Sequence, residues 1–390
     1  MISEIKKFIR QHQEELVEFA GELVRIPSYT GEEENVVRAI ERKMKDFGYD
    51  DVVIDKMGNI IGVIGSGEKK VMLDSHIDTV QVKDADDWAV PPFSGQIVDN
   101  MLYGRGSVDM KSAAAASIFA GYAIMKLGLA EDKTVYVSCT VMEEDCDGEN
   151  LRHIFNKENI RPDYVVICEP SSCGVAVGHK GKAMVKITME GVSAHGSAPE
   201  KGVNAVYKMA EVIKRVEALS DRLIRGGDGS GTVVLSNIEC VTASLNAVPA
   251  KCTIYLDRRI VEAENEASVR GEMDALVKGT GAKWEVNAVH QKSWTGLDVV
   301  YNPFHMAWSI DPKHELAQAA VNSYQALYDG APEIFKWDFS TNAVASIEMG
   351  IPTIGYGPGD SKLAHMKDEH CPVEEIIDAC QFYTALIEKL

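Results

Sequence analysis

A chain of 390 residues is too long for a typical single core, so two or three domains are expected. Hydrophobic residues at 45% and charged residues at 25% describe an ordinary soluble globular composition. The formal net charge of -19 argues against nucleic acid or anionic membrane as partners, since both need basic patches. An anionic substrate remains compatible, because a local cationic pocket can exist on an acidic protein.

The N-terminal stretch carries Ile2, Ile5, Ile9, Val17 and Leu23 at helical spacing, which predicts one or two amphipathic helices and not a signal peptide. No apolar run approaches the roughly 18–20 residues needed to cross a bilayer. The eight cysteines are scattered without a C-x-x-C pair, and the expectation is reduced thiols in a cytoplasmic protein. "KKVMLDSHIDTV" (69–80) reads as a strand with a polar end, "MKSAAAASIFAGYAIMKLG" (110–128) as a small-residue helix. "KTVYVSCTVM" (133–142) and "PDYVVICEP" (162–170) read as buried strands. Continuous Val/Ile runs alternating with helices predict a sheet covered on both faces. Near Gly178 the pattern changes. "KAMVKITMEG" alternates strictly, and a β-α-β-β-α-β order follows, broken by the loop "RGGDGSGT", which reads as a flexible connection. That order predicts a ferredoxin-like unit. After about Lys292 the α/β character returns. The expectation is a catalytic domain formed by 1–180 and 292–390, with 181–291 inserted into it.

His, Asp and Glu residues recur at or just after the predicted strand ends, the edge where open α/β sheets bind ligands. His76 and Asp78 stand two apart in "DSHIDTV". Asp109 precedes the small-residue helix in "LYGRGSVDMKSAAAA". Glu143 and Glu144 follow the next strand, Glu169 ends another in "VVICEPS", and His365 follows the last in "YGPGDSKLAHMKDEH". Each has an ordinary reading alone: a helix cap for Asp109, a solvated acidic loop for 143–149, a surface position for His365. Asp145, Asp147 and Glu149 in particular are expected to form a solvated turn. Jointly the set offers two histidines, several carboxylates and no thiolate, which suits zinc, cobalt or manganese. It exceeds one tetrahedral zinc, so two metals sharing a carboxylate is the economical reading, roughly 3.5 Å apart about an activated water. Competing chemistries are poorer. There is no G-x-S-x-G, no H-E-x-x-H, and "GVIGSGEKK" has Glu68 where a phosphate loop needs lysine.

In order, "DSHIDTV", "YGRGSVDMK", "VMEED", "CEPS", "GVSAHGSAPEKGVNA" and "GPGDSKLAH" resemble the di-zinc amidohydrolase and exopeptidase family of acetylornithine deacetylase, succinyl-diaminopimelate desuccinylase, aminoacylase and glutamate carboxypeptidase. The resemblance covers essentially the whole chain. It implies a zinc-peptidase-like α/β catalytic domain, a mixed sheet flanked by helices, with an inserted ferredoxin-like lid that dimerises. It implies two divalent ions, zinc first, with cobalt or manganese as alternatives. His76, Asp109 and Glu169 would hold one ion; Asp109, Glu144 and His365 would hold the other. Asp78 would orient His76, and Glu143 would be the general base. His195 in "SAHGSAP", often supplied across a dimer, would stabilise the oxyanion. Asn246 and Arg259 would hold a substrate carboxylate, the latter through its bidentate fork. The implied reaction is hydrolysis of an amide, peptide or carbamoyl C–N bond in a small carboxylate-bearing substrate. A non-catalytic metal- or peptide-binding protein on the same fold is the alternative. Two departures stand out: Ser112 and Ala113 follow "DMK" where the family usually has glycine, and "LAHMKDEH" offers His370 as a rival to His365.

Overall fold

The computed structural model describes residues 1–227 and 229–390; Asp228, in the predicted loop "RGGDGSGT", lies outside the described residues. Nine strands form one mixed sheet in the order Asp51–Ile54, Ile60–Ile64, Lys133–Thr140, Lys69–His76, Tyr164–Ile167, Thr353–Gly355, Val175–His179 and Trp308–Ser309, with Ile334–Trp337 also pairing with Val175–His179. The four central strands are mutually parallel: Lys69–His76 lies between Lys133–Thr140 and Tyr164–Ile167, and Tyr164–Ile167 pairs with Thr353–Gly355. Their C-terminal ends therefore lie along one edge of the sheet.

The apolar runs in these strands are explained by cover on both faces. One face meets the helices Ile2–Arg25, Lys111–Lys126 and Val373–Lys389 in the largest core cluster. Lys111–Lys126 is buried on nearly all sides, which its alanine and glycine content permits. The other face meets Glu149–Lys157 and Ala343–Glu348, around Leu151, Phe155, Trp308 and Trp337.

The second sheet has the order Thr232–Val241, Lys251–Ile260, Gly181–Glu190, Lys283–Val286, all antiparallel. In chain order that is 2-3-1-4, the ferredoxin-like arrangement. The alternation read in Gly181–Glu190 is real: Ala183, Val185, Ile187 and Met189 are buried beneath Ala205–Arg225 and Glu266–Val277. Its polar positions, Lys182 among them, face the other way. Phe304–His305 adds a short strand to the same sheet.

The acidic stretch after Glu144 is not a solvated turn. Glu143–Cys146 and Glu149–Lys157 are helices, and Asp147 between them is buried. Asp145 alone is exposed. Asp147 is drawn inward by partners far along the chain, as shown below. Among the described residues no helix is long and apolar enough to cross a membrane.

Helix Lys111–Lys126 packs so closely that Gly121 has no room for a side chain. A Cβ there would lie 2.0 Å from Tyr49 Oη, whose hydroxyl donates to Ile118 O at 2.6 Å. Gly121→Ala should therefore destabilise the protein by about 1–3 kcal/mol, although alanine is the better helix former by about 1 kcal/mol. Chemical denaturation measures this; a variant as stable as the parent would refute the packing argument.

Candidate metal centre

The four parallel strand ends deliver the predicted residues to one place. His76 is the last residue of its strand. Glu143 and Glu144 begin the helix after Lys133–Thr140, Glu169 follows Tyr164–Ile167, and the loop after Thr353–Gly355 brings His365. Asp109 arrives from the turn before Lys111–Lys126. It lies between the two histidines: His76 Nε2 is 2.8 Å from one carboxylate oxygen and His365 Nε2 is 3.2 Å from the other. Glu144 Oε2 is 2.9 Å from His365 Nε2, while Glu169 Oε1 and Glu143 Oε2 are 3.6 and 4.0 Å from His76 Nε2. Two groups of possible metal ligands result, His76–Glu143–Glu169 and Asp109–Glu144–His365. His370 belongs to neither; its ring stacks on Tyr103 and its Nδ1 meets Asp368 O.

The electrostatics of this cluster call for positive charge. Burial pushes the Glu143 and Glu169 carboxyls well above the usual carboxylate range, and burial with Asp109 nearby raises Glu144 to about 7. Asp109 is held low despite its burial by hydrogen bonds from His365 and His76. His365, bonded to Asp109 and Glu144, rises to about 10. The all-N/O donor set fits divalent ions of the zinc, cobalt or manganese type.

Asp78 is fully buried, but its carboxylate does more than face His76. His76 Nδ1 is 3.1 Å from the backbone oxygen of Asp78 and 3.6 Å from its carboxylate. The carboxylate oxygens accept the backbone N–H groups of Glu143 (3.0 Å) and Glu144 (3.1 Å) and the Thr30 hydroxyl (2.8 Å). Asp78 thus fixes the turn bearing the paired glutamates. Glu33 assists by accepting the N–H of Met142, which sits at a φ of 62°. Neither Glu33 nor this use of Asp78 is visible in local spacing, since both depend on contacts across the fold.

A cavity of about 330 Å³ opens on the cluster, walled by Asp109, Glu143, Glu144, Glu169 and His365 on one side and by Lys182 and Arg259 of the second sheet on the other. Lys182 and Arg259 are direct cross-strand neighbours. Arg259 is ion-paired with Asp257, its Nε 2.8 Å from Oδ1 and its Nη2 donating to Oδ2 at 3.0 Å, which orients its guanidinium. Lys182 bonds Asp147 at 2.9 Å, and Tyr301 donates to the same carboxylate. Lys182, Asp147 and Tyr301 were not among the residues picked out by the sequence; Lys182 was signalled only by its polar place in an alternating strand. His195 and Asn246 do not reach this cavity. They are exposed neighbours in the loops after Gly181–Glu190 and Thr232–Val241, joined where Gly196 N–H donates to Asn246 O.

A parallel-strand edge bearing two candidate metal-ligand groups lies beneath a ferredoxin-like insertion, and the relatives make the chain a metallohydrolase acting on C–N bonds. The family model "Peptidase family M20/M25/M40" matches residues 72–389, and the chain belongs to that family. It is 37% identical over 383 residues to the uncharacterized protein YgeY of Escherichia coli K12, covering 97% of this chain and 94% of that one. It is 25% identical over 391 residues to a succinyl-diaminopimelate desuccinylase of Stenotrophomonas maltophilia, covering 96% and 99%. The fold matches that of an M20 family metallo-carboxypeptidase, Sso-CP2 of Sulfolobus solfataricus, with a TM-score of 0.76 at 16% identity over 96% and 98% of the two chains.

Asp147 is held down to about 2, against burial, by Lys182, Ser340 and Tyr301. A depressed carboxyl stabilises the fold above its unfolded value near 4, and that contribution is lost as pH falls from about 4 to about 2. Asp147→Ala should cost about 3 kcal/mol at neutral pH by stranding Lys182 and Tyr301. The difference between variant and parent should shrink through that acid window. Urea melts at several pH values would show this, and a pH-independent difference would contradict it.

Proposed function

We propose that the protein is a two-metal hydrolase that cleaves an amide, peptide or carbamoyl C–N bond in a small substrate bearing a carboxylate. The observation that supports this most is Asp109, whose two carboxylate oxygens each meet a different histidine. His76, Asp109 and Glu169 would hold one ion, and Asp109, Glu144 and His365 the other. Bound there, two divalent ions would lower the pKa of water and polarise the scissile carbonyl. Zinc is our first assignment, with cobalt or manganese as alternatives.

Glu143 is the general base in this reading. Its carboxylate lines the cavity beside His76 and takes a proton from the attacking water, then passes it to the leaving nitrogen. Asp78 positions it through the backbone. Arg259 faces the cluster across the cavity, suited to grip the substrate carboxylate with a planar fork.

His195 and Asn246 enter through a second subunit. His195 Nδ1 accepts the backbone N–H of Ser197, so the neutral ring carries its proton on Nε2 and can donate to an oxyanion. Thr232–Val241 is an edge strand, and Val234, Ile238, Val241 and the fully exposed Leu245 leave apolar surface around it. This favours a homodimer through the insertion 181–291, the remainder of the chain carrying the chemistry. The action of the desuccinylase relative on an N-succinyl amino acid makes N-acyl amino acids the first substrates to test, followed by dipeptides and carbamoyl amino acids.

Glu143→Ala should keep the fold and bind metal while losing at least about 10²-fold in kcat. Chelation should abolish turnover, and zinc, cobalt or manganese should restore it. Mixing Glu143→Ala with His195→Ala subunits should recover activity, because one site in the mixed dimer has both groups intact. No recovery under proven subunit exchange would sink the shared site, and normal turnover by Glu143→Ala would remove it as base.

A further inference from the structure

The two segments that supply Asp109 and His365 lie more than half the chain apart in sequence, yet they are tied together behind the ligands. Strand His370–Pro372 pairs antiparallel with Met101–Tyr103, and Gly104 N–H donates to Glu369 O. Between these paired strands and the ligands lies an ion pair, Arg105 with Glu369, at 4% and 0% exposure.

Both partners of that pair also bind the backbone of a ligand turn. Glu369 Oε1 accepts the N–H of Val108 at 2.9 Å and of Asp109 at 3.1 Å. Arg105 Nη2 donates to the carbonyl oxygen of His365 at 3.3 Å. His365 itself sits at a φ of 62°, a region a residue with a side chain rarely adopts without support. The Arg105 guanidinium carbon lies over the Trp88 ring, 5.3 Å from its centroid, which limits its freedom. A buried ion pair is weak evidence for stability, because desolvation offsets much of its attraction. Here each charge is spent on orienting a ligand.

We infer that Arg105 and Glu369 are positioning residues that set the Asp109–Glu144–His365 site as one unit, coupling the backbone of Asp109 to that of His365. The inference rests on the two-metal reading above. The two variants should differ in kind. Arg105→Lys keeps the charge opposite Glu369 but cannot reach both partners with a planar fork, so it releases His365 and spares His76 and Glu169. Glu369→Gln keeps an acceptor oxygen for one neighbour but breaks the ion pair that aims it, disturbing Asp109 and with it both sites.

The test is calorimetric titration of the metal-stripped full-length protein with zinc, and with cobalt to follow each site by its visible spectrum. Metal-free melting temperatures control for a purely structural effect. The parent should bind two ions. Arg105→Lys should weaken the second ion by about 10–100-fold, alter one cobalt signature and leave the first ion unchanged. Glu369→Gln should weaken both; if it fails to fold, Arg105→Lys alone decides. Two ions bound to the parent with unchanged affinities and spectra in the folded variants would overturn the clamp and leave the metal reading standing. A parent that binds no pair of ions would overturn both.

Discussion

The constraint on which this structure turns is the crowding of carboxylates at the end of a parallel sheet. Glu143, Glu144, Glu169 and Asp109 converge on two imidazoles in a site that is largely buried. Two like charges about 4 Å apart repel by about 4 kcal/mol at the effective dielectric typical of proteins. Burial adds to this by disfavouring the ionised forms, which is why Glu143 and Glu169 are held so far above their ordinary range. A chain free to relax would let these side chains swing out to water. Their persistence in one cluster means that the backbone beneath them is fixed by other bonds.

Those bonds share a design. Three buried carboxyl groups that are not themselves in the candidate ligand groups each accept backbone N–H groups from a turn that bears or adjoins a candidate ligand. Asp78 holds Glu143 and Glu144, Glu33 holds Met142 just before them, and Glu369 holds Val108 and Asp109. A buried side-chain carboxyl oxygen that accepts these N–H groups can stabilise turns that are unfavourable alone. Met142 is such a place, in the left-handed region without being glycine; His365, in the same region, is held through its carbonyl by Arg105 instead. Glu33 is raised to about 8 by its burial and by Asp78, so near neutral pH it accepts the Met142 N–H chiefly as the uncharged acid.

The candidate ligands His76, Glu143, Glu144 and Glu169 were legible because they stand at or just after strand ends, where β-branched residues give way to His, Asp or Glu; Asp109 and His365 come from a turn and a loop further on. The ferredoxin-like unit was legible from the period-two alternation of Gly181–Glu190 and from the order of elements after it. The support was not legible. Glu33 lies in a run of three glutamates, and nothing nearby distinguishes the buried one from its exposed neighbours. Asp147 looked solvated because its local sequence is acidic; its partners Lys182 and Tyr301 are 35 and 154 residues away. His370 looked like a rival for His365 until the pairing of His370 with Tyr103 turned its ring away.

The same long-range contacts explain how the insertion is joined to the chemistry. Lys182 and Arg259 are opposite each other on adjacent strands, so one register fixes the height of both above the His–carboxylate cluster. Asp147, three residues beyond Glu144, receives Lys182 from the insertion and Tyr301 from the segment that returns to the larger domain. The turn that carries Glu143 and Glu144 is thus anchored from below by Asp78 and from its far end by the insertion. A slip of one residue in Gly181–Glu190 would place Ala183 in the cavity, bury Lys182 and leave Asp147 unpaired, which is how the hydrophobic pattern of a small sheet comes to govern the placement of two glutamates in another.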